Sequence, residues 1–416
     1  MTPGKDPTAR SEDPARSEVP ARSEDPAQSE VPARSEDPAR SEVPAQSDDG
    51  LPVSTVATIH LDRLRTNVQA IRARIPGLEM MGVVKADAYG HGSVAVSRTI
   101  ADMGIESLGV ATVAEGIHLR MAGLSLPITV FAPPLADRIK HYDEFDLDII
   151  VDSDSSLSIL EKSGIRAKCH LKVDTGMSRL GQTPADSKDL LHRIEAGSRL
   201  SLDSVWTHFA RADEPDEEFT SFQLRLFEDF VDSLGGAPAP LHVAASAAVF
   251  AHPNSIDPAR YSMARIGIAL YGLLDLPGQP PPEGLQPIME FTSRVSAIKR
   301  VKAGTPVSYG ARWRAPSDTY IATISAGYAD GVQRNLVNRG SVRIGKAQYP
   351  IRGTVCMDMF MVDIGDNEGQ IEVGDAVTVF GSDAPTAFDI ARQAETITYV
   401  VSCAVSPRVR RCYLDS

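Results

Sequence analysis

The stretch Val83-Val84-Lys85-Ala86-Asp87-Ala88-Tyr89-Gly90-His91-Gly92 places a lysine directly after a short apolar run and before a glycine-containing turn. In a parallel barrel, reactive side chains lie at the carboxyl ends of the strands. Burial at such a place lowers the pKa of a lysine, and a neutral amine can form a Schiff base with an aldehyde. From this stretch alone, a lysine that extends along apolar surface into solvent is the alternative.

Other runs rich in β-forming residues follow, separated by amphipathic helical segments. Helical spacing is clearest at 61–75, which Pro76 ends, and at 219–230, which precedes Gly235. Eight strands with helices between them, within about 230 residues, are typical of a (β/α)8 barrel. An open doubly wound sheet is the alternative, but no G-x-G-x-x-G follows the first strand. The predicted strands are Val83–Lys85, Leu108–Ala111, Ile128–Phe131, Asp148–Val151, His170–Asp174, Val205–Phe209, His242–Ser246 and Arg265–Tyr271.

From about Met289 the helical period fades, and alternating strands with glycine-containing turns replace it. We therefore predict a leader at 1–50, a barrel at 51–288 and a mostly β domain at 289–416. We expect the β domain to share or cover the active site of the barrel. Its predicted strands are Thr319–Ser325, Ser341–Ile344, Gln348–Gly353, Phe360–Ile364 and Ala376–Phe380.

The leader repeats the unit Ala-(Arg/Gln)-Ser-Glu-(Asp/Val)-Pro six times between Ala9 and Pro44. A proline in every unit interrupts helix and strand, and the few apolar side chains cannot repay the entropy of ordering, so we predict disorder. With 6 basic and 12 acidic residues, the leader carries -6 of the formal net charge of -13. Nearly half of the net negative charge therefore lies in this 50-residue leader.

Composition narrows the class of protein. A chain of 416 residues that is 42% hydrophobic and 23% charged is typical of a soluble globular protein. Its acidic balance disfavours binding of nucleic acid as the main activity. The chain has no membrane-length apolar run and no signal-peptide core, which predicts a cytoplasmic protein that binds no membrane. Its four cysteines form no C-x-x-C pair, so we expect reduced thiols and no metal site.

Several basic residues stand at the ends of the later predicted strands. Lys172 and Arg179 flank a glycine-containing turn and could both hold anions, although salt bridges between loops explain them equally well. His208 and His242, taken singly, are more often hydrogen-bonded core residues than catalysts.

Small residues near the last two barrel strands suggest an anion site. The run around Ser246, and the Gly267-Ile268 pair after Arg265, can present backbone N–H groups to a phosphate. In the β domain, Tyr309 and Tyr328 lie beside glycines. Tyrosines at such places are mostly structural, but a buried phenol bonded to a cation can serve as a base.

Taken together, these segments resemble the pyridoxal-phosphate-dependent alanine racemases, in which a barrel is joined to a C-terminal β domain. The resemblance runs from about Val53 to Tyr413 and leaves the leader outside. The segment around Lys85 is similar to the cofactor-lysine signature of that family. Five further segments agree in order: L-K-V-D-T-G-M-S-R-L-G, T-H-F-A-R-A-D, R-I-G-I-A-L-Y-G, V-S-Y-G and G-Y-A-D-G.

The resemblance implies two catalytic bases. Lys85 would hold pyridoxal phosphate and act as the base for D-alanine, and Tyr309 would act on L-alanine from the opposite face. Two faces are needed because reprotonation from the side that lost the proton would return the starting enantiomer. In the family the tyrosine comes from the second subunit, which implies a homodimer with shared active sites.

Other matching positions imply cofactor contacts. Arg265 would face the pyridine nitrogen and, because a guanidinium keeps its proton, would leave the ring a weaker electron sink. His208 would contact the ring and Tyr309, and His242 would support Arg265. The residues that match the phosphate-holding positions of the family are Tyr89, Ser246, Gly267, Ile268 and Tyr399.

The substrate contacts are implied in the same way. Arg179 would contact the cofactor phenolate and the substrate carboxylate, and Lys172, carbamylated in many members, would orient it. Met357 would supply a backbone N–H to that carboxylate. The residues that match the narrow entrance of the family are Asp213, Tyr328 and Arg334.

Two positions bear on affinity and substrate choice. Ala245 stands where many members have Asn, so we expect altered affinity for the cofactor rather than a different reaction. Tyr399 would leave little room near the substrate methyl group, and weak turnover of serine is expected because an apolar pocket rejects a hydroxyl only modestly.

The predicted function is racemisation of alanine, which supplies D-alanine for peptidoglycan. Another barrel-type pyridoxal enzyme, such as a decarboxylase or a broad-specificity racemase, is the first alternative. Tyr309 argues against decarboxylation, which needs one protonating acid only. A non-catalytic pyridoxal-phosphate carrier is the second alternative, but such small barrels lack the β domain that follows Met289 here.

Overall fold

The computed structural model describes residues 54–415. The predicted leader at 1–50 lies outside the described residues. The chain enters with strand β1 (Val56–His60) and helix α1 (Leu61–Arg74). A parallel barrel and a mostly β domain follow, which confirms the predicted fold class.

The barrel consists of eight parallel strands in one sheet among residues 54–415. The strands are β2 (Glu79–Val83), β3 (Ser107–Val110), β4 (Ile128–Val130), β5 (Asp148–Val151), β6 (Ala167–Lys172), β7 (Leu200–Trp206), β8 (Leu241–His242) and β9 (Met263–Ile266). Each strand pairs with the next from β2 to β8, and β9 pairs with β2. A bridge between Ala245 and Arg265 joins the last two strands and closes the barrel.

Helices cover the outside of the barrel. Side-chain caps set several of their starts, as where Thr112 and Ser153 each accept from the N–H three residues ahead. The apolar side of a helix turns inward, as Phe227 and Phe230 show. The helices are α2 (Lys85–Tyr89), α3 (Ser93–Asp102), α4 (Val113–Met121), α5 (Ile139–Glu144), α6 (Asp154–Ser163), α7 (Pro184–Ala196), α8 (Glu218–Asp232) and α9 (Ser246–Ala251).

The second domain is built on a mixed sheet. Its strands are β10 (Met289–Val301), β11 (Pro306–Val307), β12 (Trp313–Arg314), β13 (Thr319–Ile324), β14 (Ser341–Ile344), β15 (Ala347–Pro350), β16 (Phe360–Asp363), β17 (Ala376–Phe380) and β18 (Arg410–Leu414), with helices α10 (Ala387–Gln393) and α11 (Thr398–Cys403). The long strand β10 pairs with β1, β13 and β17, so it organises the sheet. The pair β11 and β12 forms a small hairpin of its own.

Strand β1 belongs to this second sheet rather than to the barrel. It runs antiparallel to β10 and parallel to β18, and its residues Ala57 and Ile59 are fully buried. The division of the folded part at residue 288 stays a prediction, and the structure adds that the chain passes through the β sheet before it enters the barrel.

The observed barrel strands start earlier than several of the predicted runs. Strand β2 begins at Glu79 and ends at Val83, so Lys85 lies just past its carboxyl end. Strand β10 was absent from the prediction because charged residues such as Lys299 and Arg300 interrupt its apolar side. Among residues 54–415, no helix is both long and apolar enough to cross a membrane.

Helix α11 brings the β domain against the turn that follows Lys85. A Cβ on Gly90, at a φ of 86°, would collide with the carbonyl oxygen of Ser402, so this close approach requires glycine. Thr398 donates a buried hydrogen bond of 2.8 Å to the carbonyl of Leu273. The two domains are therefore held together beside the lysine.

We predict that Asn67→Ala lowers the free energy of unfolding by about 2–4 kcal/mol, because buried backbone groups lose their partners. The fully buried Asn67 amide donates to the carbonyls of Leu270 (2.9 Å) and Gln286 (2.8 Å) and accepts from the N–H of Gln286 (2.7 Å). Urea unfolding followed by fluorescence measures the change. The control is Gln69→Ala on the exposed side of the same helix, and equal shifts in the two variants would contradict the prediction.

Candidate active site

A cavity of about 470 Å³ opens at the carboxyl ends of the barrel strands. Its wall combines apolar side chains such as Val83 and Phe131 with cationic ones. Most of the residues predicted from the sequence line this single cavity: Lys85, Tyr89, Lys172, Arg179, His208, Asp213, Ser246, Arg265, Gly267, Ile268 and Tyr399.

Lys85 begins a left-handed helical turn. The four non-glycine residues Ala86–Tyr89 have φ values of 52–55°, a conformation that costs roughly 1–2 kcal/mol per residue. Hydrogen bonds hold the turn: the Asp87 carboxylate accepts from the N–H of Ser93 at 2.7 Å, and the Glu115 carboxylate accepts from the N–H of Ala86 at 2.8 Å. The lysine is therefore fixed by a strained but well-bonded backbone.

Burial and charge favour the neutral form of the Lys85 amine. Burial lowers the pKa of Lys85, and the nearby Arg179 guanidinium lowers it further, while Glu115 opposes both effects. A less basic amine at the wall of a cavity can bind an aldehyde covalently or take up a proton from a bound substrate.

Arg265 is held in the floor of the cavity by neutral acceptors. Its Nη1 donates to Nδ1 of His242 at 2.6 Å, and its Nη2 donates to the carbonyls of Thr207 (2.8 Å) and Val243 (2.9 Å) and to Nδ1 of His208 (3.2 Å). Burial lowers the pKa of Arg265 to about 9. Its Nε–H finds no acceptor within residues 54–415, and this donor is therefore available to a ligand in the cavity.

His208 and His242 both border a cationic cluster. Burial and the charge of Arg265 lower the pKa of each imidazole well below its usual range. Both rings are therefore neutral at physiological pH, which lets each accept a hydrogen bond from the guanidinium.

Lys172 is 1% exposed, and its Nζ has no hydrogen-bond partner among residues 54–415. The amine lies 4.5 Å from the ring centre of Trp206, and the guanidinium carbon of Arg265 lies 4.7 Å from the same indole. Burial and the charge of Arg265 lower the pKa of Lys172 to about 7. Asp174 and Asp152 oppose this lowering of the pKa, but neither carboxylate forms a hydrogen bond with the amine.

An anion cradle lies beside helix α9. The Ser246 hydroxyl accepts from the N–H groups of Gly267 (3.0 Å) and Ala269 (3.3 Å). A Cβ on Gly267 would lie 2.5 Å from the Tyr89 hydroxyl, so the absence of a side chain there keeps the cradle open. Burial raises the pKa of Tyr89, which keeps its phenol a hydrogen-bond donor.

The remaining predicted residues lie away from the cavity within one chain. His242 lies behind Arg265, in the barrel interior. Tyr309, at the tip of the β11–β12 hairpin, is 74% exposed, and Met357 and Tyr328 are also exposed. Arg334, in a short 3-10 turn, is not part of the cavity wall either.

Two residues of the site were missed by the sequence interpretation. Trp206 ends β7 and contacts both Lys172 and Arg265. The prediction placed it second in the strand Val205–Phe209, and its position at the carboxyl end is evident only from the observed end of β7. Glu115, in helix α4, accepts from the N–H of Ala86 in the turn after Lys85, but the sequence around it indicates only the capping box of α4.

The fold places amine, guanidinium and imidazole groups together at the carboxyl ends of eight parallel strands, which is where barrel enzymes carry their active sites. The fold and the cavity are those of a barrel enzyme. Its residues 59–275 match the model of the alanine racemase N-terminal domain, and residues 288–413 match that of the alanine racemase C-terminal domain. The chain belongs to the alanine racemase family.

Individual relatives agree with this assignment. An alanine racemase from Chlorobaculum tepidum is 42% identical over 371 residues, which cover 86% of this chain and 95% of that protein. One from Treponema denticola is 36% identical over 379 residues, covering 87% and 98%. The crystal structure of alanine racemase from D-cycloserine-producing Streptomyces lavendulae has a TM-score of 0.80 at 35% identity, covering 88% of this chain and 98% of that one. The E. faecalis enzyme has a TM-score of 0.81 at 31% identity, covering 87% and 98%.

We predict that Gly267→Ala weakens binding of pyridoxal phosphate, the cofactor that the sequence resemblance implies, at least about tenfold, or about 1.4 kcal/mol. The new methyl group would meet the Tyr89 hydroxyl, and Tyr89 cannot move away freely because the rings of Tyr271 (5.0 Å) and Tyr399 (5.9 Å) enclose it. Fluorescence titration with pyridoxal phosphate measures the affinity. Gly197→Ala, just after helix α7, is the control, and an unchanged affinity in Gly267→Ala would refute the role of the cradle.

Proposed function

We propose that this protein interconverts L-alanine and D-alanine with pyridoxal phosphate as cofactor, as a cytoplasmic homodimer that supplies D-alanine for peptidoglycan. The proposal rests mainly on the Lys85 amine, whose pKa is lowered. This amine lies at the wall of a cavity that also contains Arg265 and the Ser246 cradle. Membership of the alanine racemase family supports the reaction and the substrate.

Complementary groups support the choice of cofactor. The amine of Lys85 suits the aldehyde, the cradle of Ser246 and Gly267 suits the phosphate, and the unpaired Nε–H of Arg265 suits a pyridine nitrogen. When bound, pyridoxal phosphate withdraws electrons from the α-carbon of the amino acid and so makes the α-hydrogen acidic. Arg265 moderates this effect, because its guanidinium shares a hydrogen bond without transferring its proton.

Lys85 and Tyr309 are the proposed bases. The Nζ of Lys85 takes the α-proton of D-alanine, and the phenol oxygen of Tyr309 returns a proton from the opposite face; L-alanine follows the reverse order. Within one chain Tyr309 lies exposed on the β11–β12 hairpin, outside the cavity. The proposed reaction therefore requires the partner subunit's Tyr309, and so a dimer.

We assign substrate selection to residues at the rim of the cavity. Arg179 binds the carboxylate of alanine, together with the backbone N–H of the partner subunit's Met357. Tyr399, which packs against Tyr89 with ring centres 5.9 Å apart, limits the space for larger side chains. Asp213 lines the mouth, and we assign Tyr328 and Arg334 of the partner subunit to the entrance on the other side.

We predict that Tyr309→Phe lowers kcat/KM for racemisation about 10²–10⁴-fold in both directions, because each turnover uses both bases. The loss is symmetric in kcat/KM since the two enantiomers have equal free energy. Lys85 remains, so D-alanine should still exchange its α-hydrogen in deuterium oxide while L-alanine should not. Circular dichroism follows racemisation, and proton NMR follows exchange.

Tyr320→Phe is the matched control, because Tyr320 is a half-buried tyrosine of β13 in the same domain. Its racemisation rate should equal that of the wild type. Retained exchange of L-alanine in Tyr309→Phe, or undiminished racemisation, would refute the two-base assignment.

We predict a carbamate on Lys172 that forms increasingly between about pH 6 and pH 8. The neutral amine attacks carbon dioxide and releases one proton, and with a pKa of about 7 the amine is protonated and unreactive at the lower pH. Carbon-13 NMR in labelled bicarbonate should show the carbamate in the wild type and in Lys168→Gln, a substitution at an exposed lysine of the same strand. A signal that persists in Lys172→Gln would contradict the assignment.

A further inference from the structure

A string of buried polar side chains runs behind Arg265 through the barrel interior. His242 Nε2 lies 2.8 Å from the Ser204 hydroxyl, and that hydroxyl lies 2.7 Å from Nδ1 of His170. His170 Nε2 lies 3.3 Å from the Thr129 hydroxyl and 3.7 Å from the Asp148 carboxylate. The residues of this string are at most 6% exposed.

The string crosses the barrel from one end to the other. Asp148 is the first residue of β5 and borders a separate cavity of about 400 Å³ at the amino ends of the strands. Arg265, at the other end of the string, lines the proposed active site. The side chains between them come from adjacent strands, β6, β7 and β8, so the sheet itself sets their spacing.

The hydrogen-bond directions along the string can be assigned outward from Arg265, with both imidazoles neutral and the Ser204 hydroxyl donating to His170. A guanidinium only donates, so Nδ1 of His242 must accept and its Nε2 must carry the hydrogen. That hydrogen points to Ser204, whose own hydrogen is then free to go to Nδ1 of His170. His170 therefore also carries its hydrogen on Nε2, directed at Thr129 and Asp148.

The tautomer of His242 decides whether Arg265 can stay in place. A neutral imidazole with its hydrogen on Nδ1 would set a donor against the Arg265 donor at 2.6 Å. Without the Ser204 oxygen, the Nε2–H tautomer would leave a buried donor unsatisfied, which is unfavourable. The ring cannot turn away to relieve this, because Trp206 stacks on it with ring planes 4° apart and centres 5.7 Å apart.

We propose that Ser204 and His170 are positioning residues for Arg265, because they hold His242 in the tautomer that accepts from the guanidinium and leaves Nε–H aimed at the cavity. The proposal deepens the proposed function, since Arg265 is the group assigned to the cofactor ring. The Asp148 carboxylate, which can only accept, lies at the far end of the string. The hydrogen-bond partners of Arg265 itself are neutral.

Ser204→Ala tests the proposal, and nitrogen-15 NMR of histidine-labelled, full-length holoenzyme reads the tautomers directly. In the wild type, His242 and His170 should both carry hydrogen on Nε2. In Ser204→Ala, His242 should shift toward the Nδ1–H form, and kcat for alanine should fall about tenfold or more, with KM changed less than about twofold. The His242 signal is assigned by its loss in His242→Asn.

Two further variants separate positioning from packing. Ser204→Thr keeps a hydroxyl, so it should restore the tautomer and most of kcat. Ser107→Ala removes a buried hydroxyl of β3 that has no hydrogen-bond partner within residues 54–415, and it should leave both unchanged.

A wild-type His242 tautomer in Ser204→Ala would overturn the proposal, and so would an equal loss of kcat in Ser107→Ala. Because NMR reports the tautomers without catalysis, the test distinguishes failure of the positioning role from failure of the proposed function. A wild-type protein with no racemase activity would refute the proposed function, while the tautomers of the wild type and of Ser204→Ala would still decide the positioning role.

Discussion

The bridge between Ala245, just after strand β8, and Arg265 of strand β9 both closes the barrel and positions the candidate site. The backbone N–H of Arg265 donates to the carbonyl of Ala244 at 3.0 Å, and its side chain bonds the adjacent strand ends through Thr207, His242 and Val243. A guanidinium could not be buried here without these acceptors, because an unpaired buried charge is very costly. The same contacts of Arg265 therefore close the sheet and fix the position of its guanidinium.

The candidate site concentrates several energetically unfavourable features in one place. A left-handed turn of four non-glycine residues follows Lys85, and the Lys172 amine is buried without a partner. Lys85, Arg179 and Arg265 also gather positive charge around one cavity. Such backbone strain and repulsion between like charges persist only where many surrounding contacts hold the residues in place. Both features are compatible with a site that binds a phosphate and a carboxylate.

The β domain contacts the barrel beside the candidate site. Strand β1, which precedes the barrel, pairs within the second sheet, and helix α11 lies against the turn after Lys85. The β11–β12 hairpin instead carries Tyr309 out to the surface. One chain thus brings the cationic residues together at the cavity, while Tyr309 lies exposed on the β domain.

The sequence by itself determined the barrel, the mostly β domain and the candidate lysine. These follow from local patterns: apolar runs such as the one before Lys85, helical spacing at 61–75, and turns marked by glycine. The strands of the β domain that had clear alternation were also found, Ser341–Ile344 and Ala376–Phe380 with the predicted bounds. The leader at 1–50 lies outside what the structure describes.

Only the tertiary structure decided the features that join distant residues. Strand β1 pairs with β10 and β18, more than 200 residues away, and no local periodicity encodes the choice of a partner sheet. The contacts of Trp206 with Lys172 and Arg265, and the hydrogen bonds that connect Arg265 with His170, likewise exist only once the strands are side by side. Residue types set which groups can donate or accept, but closure of the barrel sets which of them meet.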